Sequence, residues 1–101
     1  MARDTWAYRE VAVESFIDAR GVLRLRPMAG QAFAPSLPVH AARSLTDPVL
    51  YPPGSRFLLN AKLTDRLGGP QFLYTYHNDP VTVLSAAAAK RFLLAFRRGR
   101  I

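Results

Sequence analysis

Apolar and polar residues alternate along the first third of this chain with the period of two expected of a half-buried strand. From Thr5 to Ile17, Val11 and Val13 alternate with Glu10, Ala12 and Glu14, which predicts a long first strand. Asp18-Ala19-Arg20-Gly21 follows as a turn, with Gly21 free to take the left-handed conformation of a short hairpin loop. The second strand, Val22 to Met28, sets Leu23 and Leu25 against Arg24 and Arg26 on opposite faces. Placing Asp18 opposite Val22 brings Ile17 to Leu23 and Ser15 to Leu25 on the inside, and Phe16 to Arg24 and Glu14 to Arg26 on the outside. Apolar then meets apolar and acid meets base, so this register is the expected one.

Ala29 to Ser36 reads as a loop, and Leu37 to Ala41 as a short third strand that Pro38 confines to an edge or a strand start. Ala41 to Leu45 predicts a turn or two of helix ended by Asp47-Pro48, and Tyr51-Pro52-Pro53-Gly54 a turn that launches a hairpin. That hairpin, Arg56 to His77, is the segment around which the rest is arranged. After a further turn at His77-Asn78-Asp79-Pro80 and a short strand, Val81 to Leu84, the period changes. Ser85 is placed as the N-cap of a terminal helix from Ala86 to Arg98, with Gly99 as its stop. Ala89, Phe92, Leu93 and Phe96 share the face that docks it on a sheet.

Three strands, a short helix and two more strands is the order of the OB-fold barrel. The expected architecture is therefore a mainly β single domain over residues 1–101, a barrel of OB-like or SH3-like type spanning about 5–84, with a short connecting helix and a C-terminal α-helix. Within the central hairpin two registers compete. If Lys62 pairs with Phe72 and Asn60 with Tyr74, the aromatics Phe72, Tyr74 and Tyr76 share an outer face with the cations and form a stacking platform. If Leu63 pairs with Phe72 and Ala61 with Tyr74, the same aromatics turn into the core. The second joins the more apolar faces and is the expected pairing.

At 101 residues, half of them apolar and 11% aromatic, the chain can bury a core without disulfides or metals. The absence of cysteine removes disulfides, a cysteine nucleophile and a thiolate metal site. Apolar runs such as Phe92 to Phe96 fall far short of the ~20 residues that span a bilayer, and MARDTWAYRE carries charge where a secretory signal would be apolar. A cytoplasmic protein without membrane attachment is expected. A net charge of +7 attracts polyanions, nucleic acid first. Most of the cations are arginine in an alanine-rich chain, a composition that a GC-rich genome also produces.

Catalytic constellations are thin. His77 and Asp79 form a His-x-Asp pair in a turn, but further ligands are hard to find with seven acids and no cysteine. Ser55, Thr75 and Ser85 lack a nucleophile elbow, Gly68-Gly69 lacks the pattern of a phosphate loop, and Glu10 and Glu14 face arginines. No enzyme activity, metal or cofactor is expected. The expected function is nucleic-acid binding, single-stranded or RNA favoured, mainly through phosphates. Arg24, Arg26, Arg56, Lys62 and Arg66, with the helix cations Lys90, Arg91, Arg97 and Arg98, are the anion-contact residues, and Tyr74 and Tyr76 the stacking residues. The alternative is an interaction module docking an acidic protein.

Overall fold

The computed structural model of the chain describes residues 7–76 and 79–97. Strand β1 (Arg9–Ile17) and β2 (Leu23–Pro27) form the first hairpin. Their pairing is the one that the alternation predicts: Glu14 opposite Arg26, Ser15 opposite Leu25, Phe16 opposite Arg24 and Ile17 opposite Leu23. The turn closes through the Asp18 amide on the Val22 carbonyl at 2.9 Å, with Gly21 at a φ of 80°. The strand begins at Arg9, and the expected start at Thr5 lies outside the described residues.

A two-residue strand β3 (Val39–His40) precedes a 3-10 turn at Arg43–Thr46, and then come β4 (Arg56–Thr64), β5 (Phe72–Thr75), β6 (Thr82–Leu84) and helix α1 (Ala86–Arg97). Strand β4 is the centre of the sheet. One of its edges pairs with β1 from Arg56 to Ala61, and the other takes β6 beside Arg56–Leu58 and β5 beside Ala61–Thr64. The sheet runs β2-β1-β4-β5-β3, antiparallel throughout except for the parallel β3–β5 pair. It curls until β2 and β3, at its two ends, come within contact of each other, with no ladder between them among the described residues. The result is a nearly closed barrel with OB-like strand order, to which β6 and α1 are added.

Alternation fills this barrel. Val11 and Val13 from β1, Leu25 from β2, Phe57, Leu59 and Ala61 from β4, Leu73 from β5 and Leu45 from the 3-10 turn form one buried cluster. Tyr51 packs edge-on against Phe57, ring centres 5.0 Å apart. Each fully buried side chain of this size is worth about 1.5–3 kcal/mol relative to exposure. A second cluster lies outside the sheet, where α1 covers Ala12, Leu58 and Leu84 with Ala89 and Phe92. Ser85 starts that helix as expected, its hydroxyl accepting the Ala88 amide at 3.0 Å.

The central hairpin departs from its expected register. Thr64 pairs with Phe72, Leu63 with Leu73, Lys62 with Tyr74 and Ala61 with Thr75, so Leu73 and Thr75 face the core and Phe72 and Tyr74 lie on the outer face with Lys62. The reason is that β5 is covered on both sides. Leu73 is fully buried inside, while on the outer face the His40 ring stacks on Phe72 and leaves it 7% exposed. An apolar residue on either face therefore finds cover, and matching apolar faces within the hairpin alone selects the wrong pairing.

Candidate functional site

The seam between β2 and β3 is open on the outside as a groove of about 730 Å³. One wall is β2 with Phe16 of β1, the other is the segment Pro35–Arg43 that carries β3, and Arg66 at the tip of the β4–β5 hairpin closes one side. Arg24, Arg26, Arg43 and Arg66 line it together with His40, and no carboxylate is among the described residues of its lining. The loop joining β1 to β2 and the loop joining β4 to β5 both reach it, through Val22 and Arg66. The edges of β2 and β3 that face one another across it carry no ladder partner among the described residues.

Its four arginines are held differently. Arg24 is pinned, its Nε donating to Asp18 Oδ2 at 2.6 Å. Asp18 Oδ1 meanwhile accepts the amides of Val22 at 2.9 Å and Arg20 at 2.8 Å. The Val22 amide foremost, and the Arg24 guanidinium with it, hold the Asp18 carboxyl below its ordinary value of 3.8. Arg26 is held loosely: its Nε is 3.8 Å from Glu14 Oε2, a buried oxygen without a hydrogen bond, and its guanidinium lies 4.4 Å from the centre of the Phe16 ring. Arg66 rests 5.6 Å from the Phe72 ring centre. Arg43 projects from the 3-10 turn, exposed and without a carboxylate within ion-pair distance among the described residues.

Comparison with family models, with curated proteins and with solved structures finds no match for this chain. What the groove can do follows from its own geometry.

Of the sequence-predicted residues, Arg24, Arg26 and Arg66 come together in this groove. The others do not line it. Lys62 sits on the outer face of β4, opposite Tyr74 and 5.7 Å from the Tyr8 ring centre. Arg56 is half-buried at the start of β4, opposite both Glu14 and Leu84. Lys90, Arg91 and Arg97 are exposed on α1, and Arg98 lies outside the described residues, as does His77. Tyr74 and Tyr76 are half-buried and contribute nothing to the groove's lining. Among the described residues no group of three or more histidines or acids could hold a metal, and no helix is long and apolar enough to cross a membrane.

Three contributors escaped the sequence: Arg43, His40 and Phe16. Arg43 and His40 reach the groove only because barrel closure brings β3 against β2, whereas Phe16 stands opposite Arg24 in the first hairpin. A second pocket, of about 510 Å³, lies beneath α1 between Tyr8, Phe33, Phe92 and Phe96. Arg9 is its single described cation and Glu10 stands beside it, so it is no site for a polyanion.

Proposed function

We propose that this chain is a nucleic-acid-binding barrel that holds the phosphates of its partner in the groove between β2 and β3, and that it acts by binding rather than by catalysis. One observation carries the reading. Four arginines from β2, the 3-10 turn and the β4–β5 loop converge on a groove whose described lining contains no acid. Guanidinium groups suit this role because each offers a planar fork of donors to phosphate oxygens and stays charged at any working pH. The net charge of +7 supplies long-range attraction.

Fold analogy points the same way. In OB barrels the face of strands 2 and 3, with the loops between strands 1 and 2 and between strands 4 and 5, is where oligonucleotides bind. This groove occupies the corresponding surface. A nucleic-acid partner also accords with a cytoplasmic location.

A second reading is favoured by a specific feature. The two strand edges facing the groove, without a ladder partner among the described residues, suit an extended acidic segment of a partner protein, added as a further strand. The readings separate with two charge-reversal proteins. Arg43→Glu with Arg66→Glu abolishes binding of a fluorescent single-stranded oligonucleotide, and Lys90→Glu with Arg91→Glu on α1 largely spares it. If the unsubstituted protein ignores oligonucleotides at low salt yet binds polyglutamate, the acidic-segment reading replaces the first.

A further inference from the structure

We infer that His40 is the base-stacking platform of the groove, and that the site therefore prefers single strands to duplex; this rests on the nucleic-acid reading above. The His40 ring lies nearly parallel to the Phe72 ring, centres 4.2 Å apart and planes 23° from parallel. Phe72 is 7% exposed and does not line the groove, whereas His40 is exposed and does. Phe72 thus backs one face of a ring that belongs to the groove wall.

The backbone that carries the ring is held in the sheet. His40 pairs with Tyr74 in the parallel ladder of β3 and β5, and its carbonyl accepts the Thr75 hydroxyl at 2.9 Å. Side-chain freedom that the Phe72 stack has already removed does not have to be removed by a ligand. Arg66, 5.6 Å from the same Phe72 ring, and Arg43, three residues beyond His40, flank it with charge. A base on His40 and its phosphates on the arginines is the combination by which single strands are held without sequence preference.

The arginines alone do not tell single strand from duplex, since both present phosphates. A stacking ring does, because a base within a duplex already has neighbours on both faces. Tyr74 and Tyr76 do not compete for the role, because neither lines the groove.

The test compares the unsubstituted protein with His40→Ala and His40→Tyr. Fluorescence anisotropy measures their binding to an oligothymidylate of about ten nucleotides, to an abasic strand of equal length and to a duplex. The unsubstituted protein binds oligothymidylate more tightly than the abasic strand. His40→Ala lowers oligothymidylate affinity by about tenfold, the value of one stacked base, and leaves the abasic strand, the duplex and the salt dependence unchanged. His40→Tyr restores the affinity, which also shows that the effect is not one of charge. Thermal unfolding of the variants confirms that both fold. Equal affinity of His40→Ala and the unsubstituted protein for oligothymidylate, with Arg43→Ala still weakened, would overturn the platform while leaving the groove standing. Absence of binding by the unsubstituted protein at low salt would overturn both.

Discussion

The Nε of Arg24 lies 2.6 Å from Oδ2 of Asp18, the residue that also closes the β1–β2 turn. One carboxylate thus shapes the loop at the groove's end and restrains one of the four arginines in its wall. Arg24 is exposed and Asp18 half-buried, its side chain only 17% exposed, so the carboxylate sits beside a guanidinium that still faces solvent and the groove. In Asp18→Asn the side-chain oxygen still accepts the turn amides, while the charge that competes with phosphate is gone. Single-strand affinity at low salt is expected to rise by about two- to fivefold. Unchanged or weaker binding by a folded Asp18→Asn protein would show that Arg24 is not a phosphate ligand.

The same carboxyl is held below its ordinary value of 3.8, first by the Val22 amide and also by Arg24, so folding is linked to its ionisation. A depressed carboxyl stabilises the fold above its unfolded value and loses that contribution as pH falls through its folded value. The hairpin ion pair is therefore expected to survive at pH 5 and to be lost only below about pH 3.8. An NMR titration of the Asp18 carboxyl carbon checks this, and a midpoint at or above 3.8 would contradict it.

Among the described residues, Arg43 and Arg66 have no carboxylate within ion-pair distance to leave. Arg43→Ala and Arg66→Ala are each expected to weaken binding uniformly across sequences and to reduce the slope of log affinity against log salt by about 0.7 for a single strand. Lys90→Ala and Arg91→Ala on α1 are expected to leave that slope unchanged. Equal losses from helix and groove variants would mean a diffuse attraction in place of a site.

Gln31 tests the fold independently of function. Its Oε1 accepts the amide of the buried Ala12 at 3.1 Å, and its Nε2 donates to the carbonyls of Ala12 at 2.6 Å and Met28 at 3.0 Å. The Ala12 carbonyl keeps a second donor, the Met28 amide at 2.9 Å, so the Ala12 amide is the group that Gln31→Ala strands. Urea unfolding is expected to show a loss of about 1–3 kcal/mol with an unchanged m value. A loss within error of zero would mean that water replaces the clamp.

How much could be read in advance depended on sequence distance. The β1–β2 register was legible because a short turn fixes it and both faces agree, Glu14 with Arg26 outside and Ser15 with Leu25 inside. The β4–β5 register was not, because the cover on Phe72 comes from His40, more than thirty positions earlier. The site divides in the same way. Arg24, Arg26 and Arg66 stand out as cations on strand faces and in a turn, whereas Arg43 and His40 join them only through closure of the barrel. The stacking role assigned by pattern to Tyr74 and Tyr76 passes, on our reading, to a histidine that pattern gave no reason to choose.

The central claim is that the β2–β3 groove holds phosphates. Its most direct measurement is the affinity of the unsubstituted protein for a short oligothymidylate across a series of salt concentrations. Four arginine–phosphate contacts predict a straight line of log affinity against log salt with a slope of about −3. A slope near zero, or no binding at low salt despite a net charge of +7, would contradict the account.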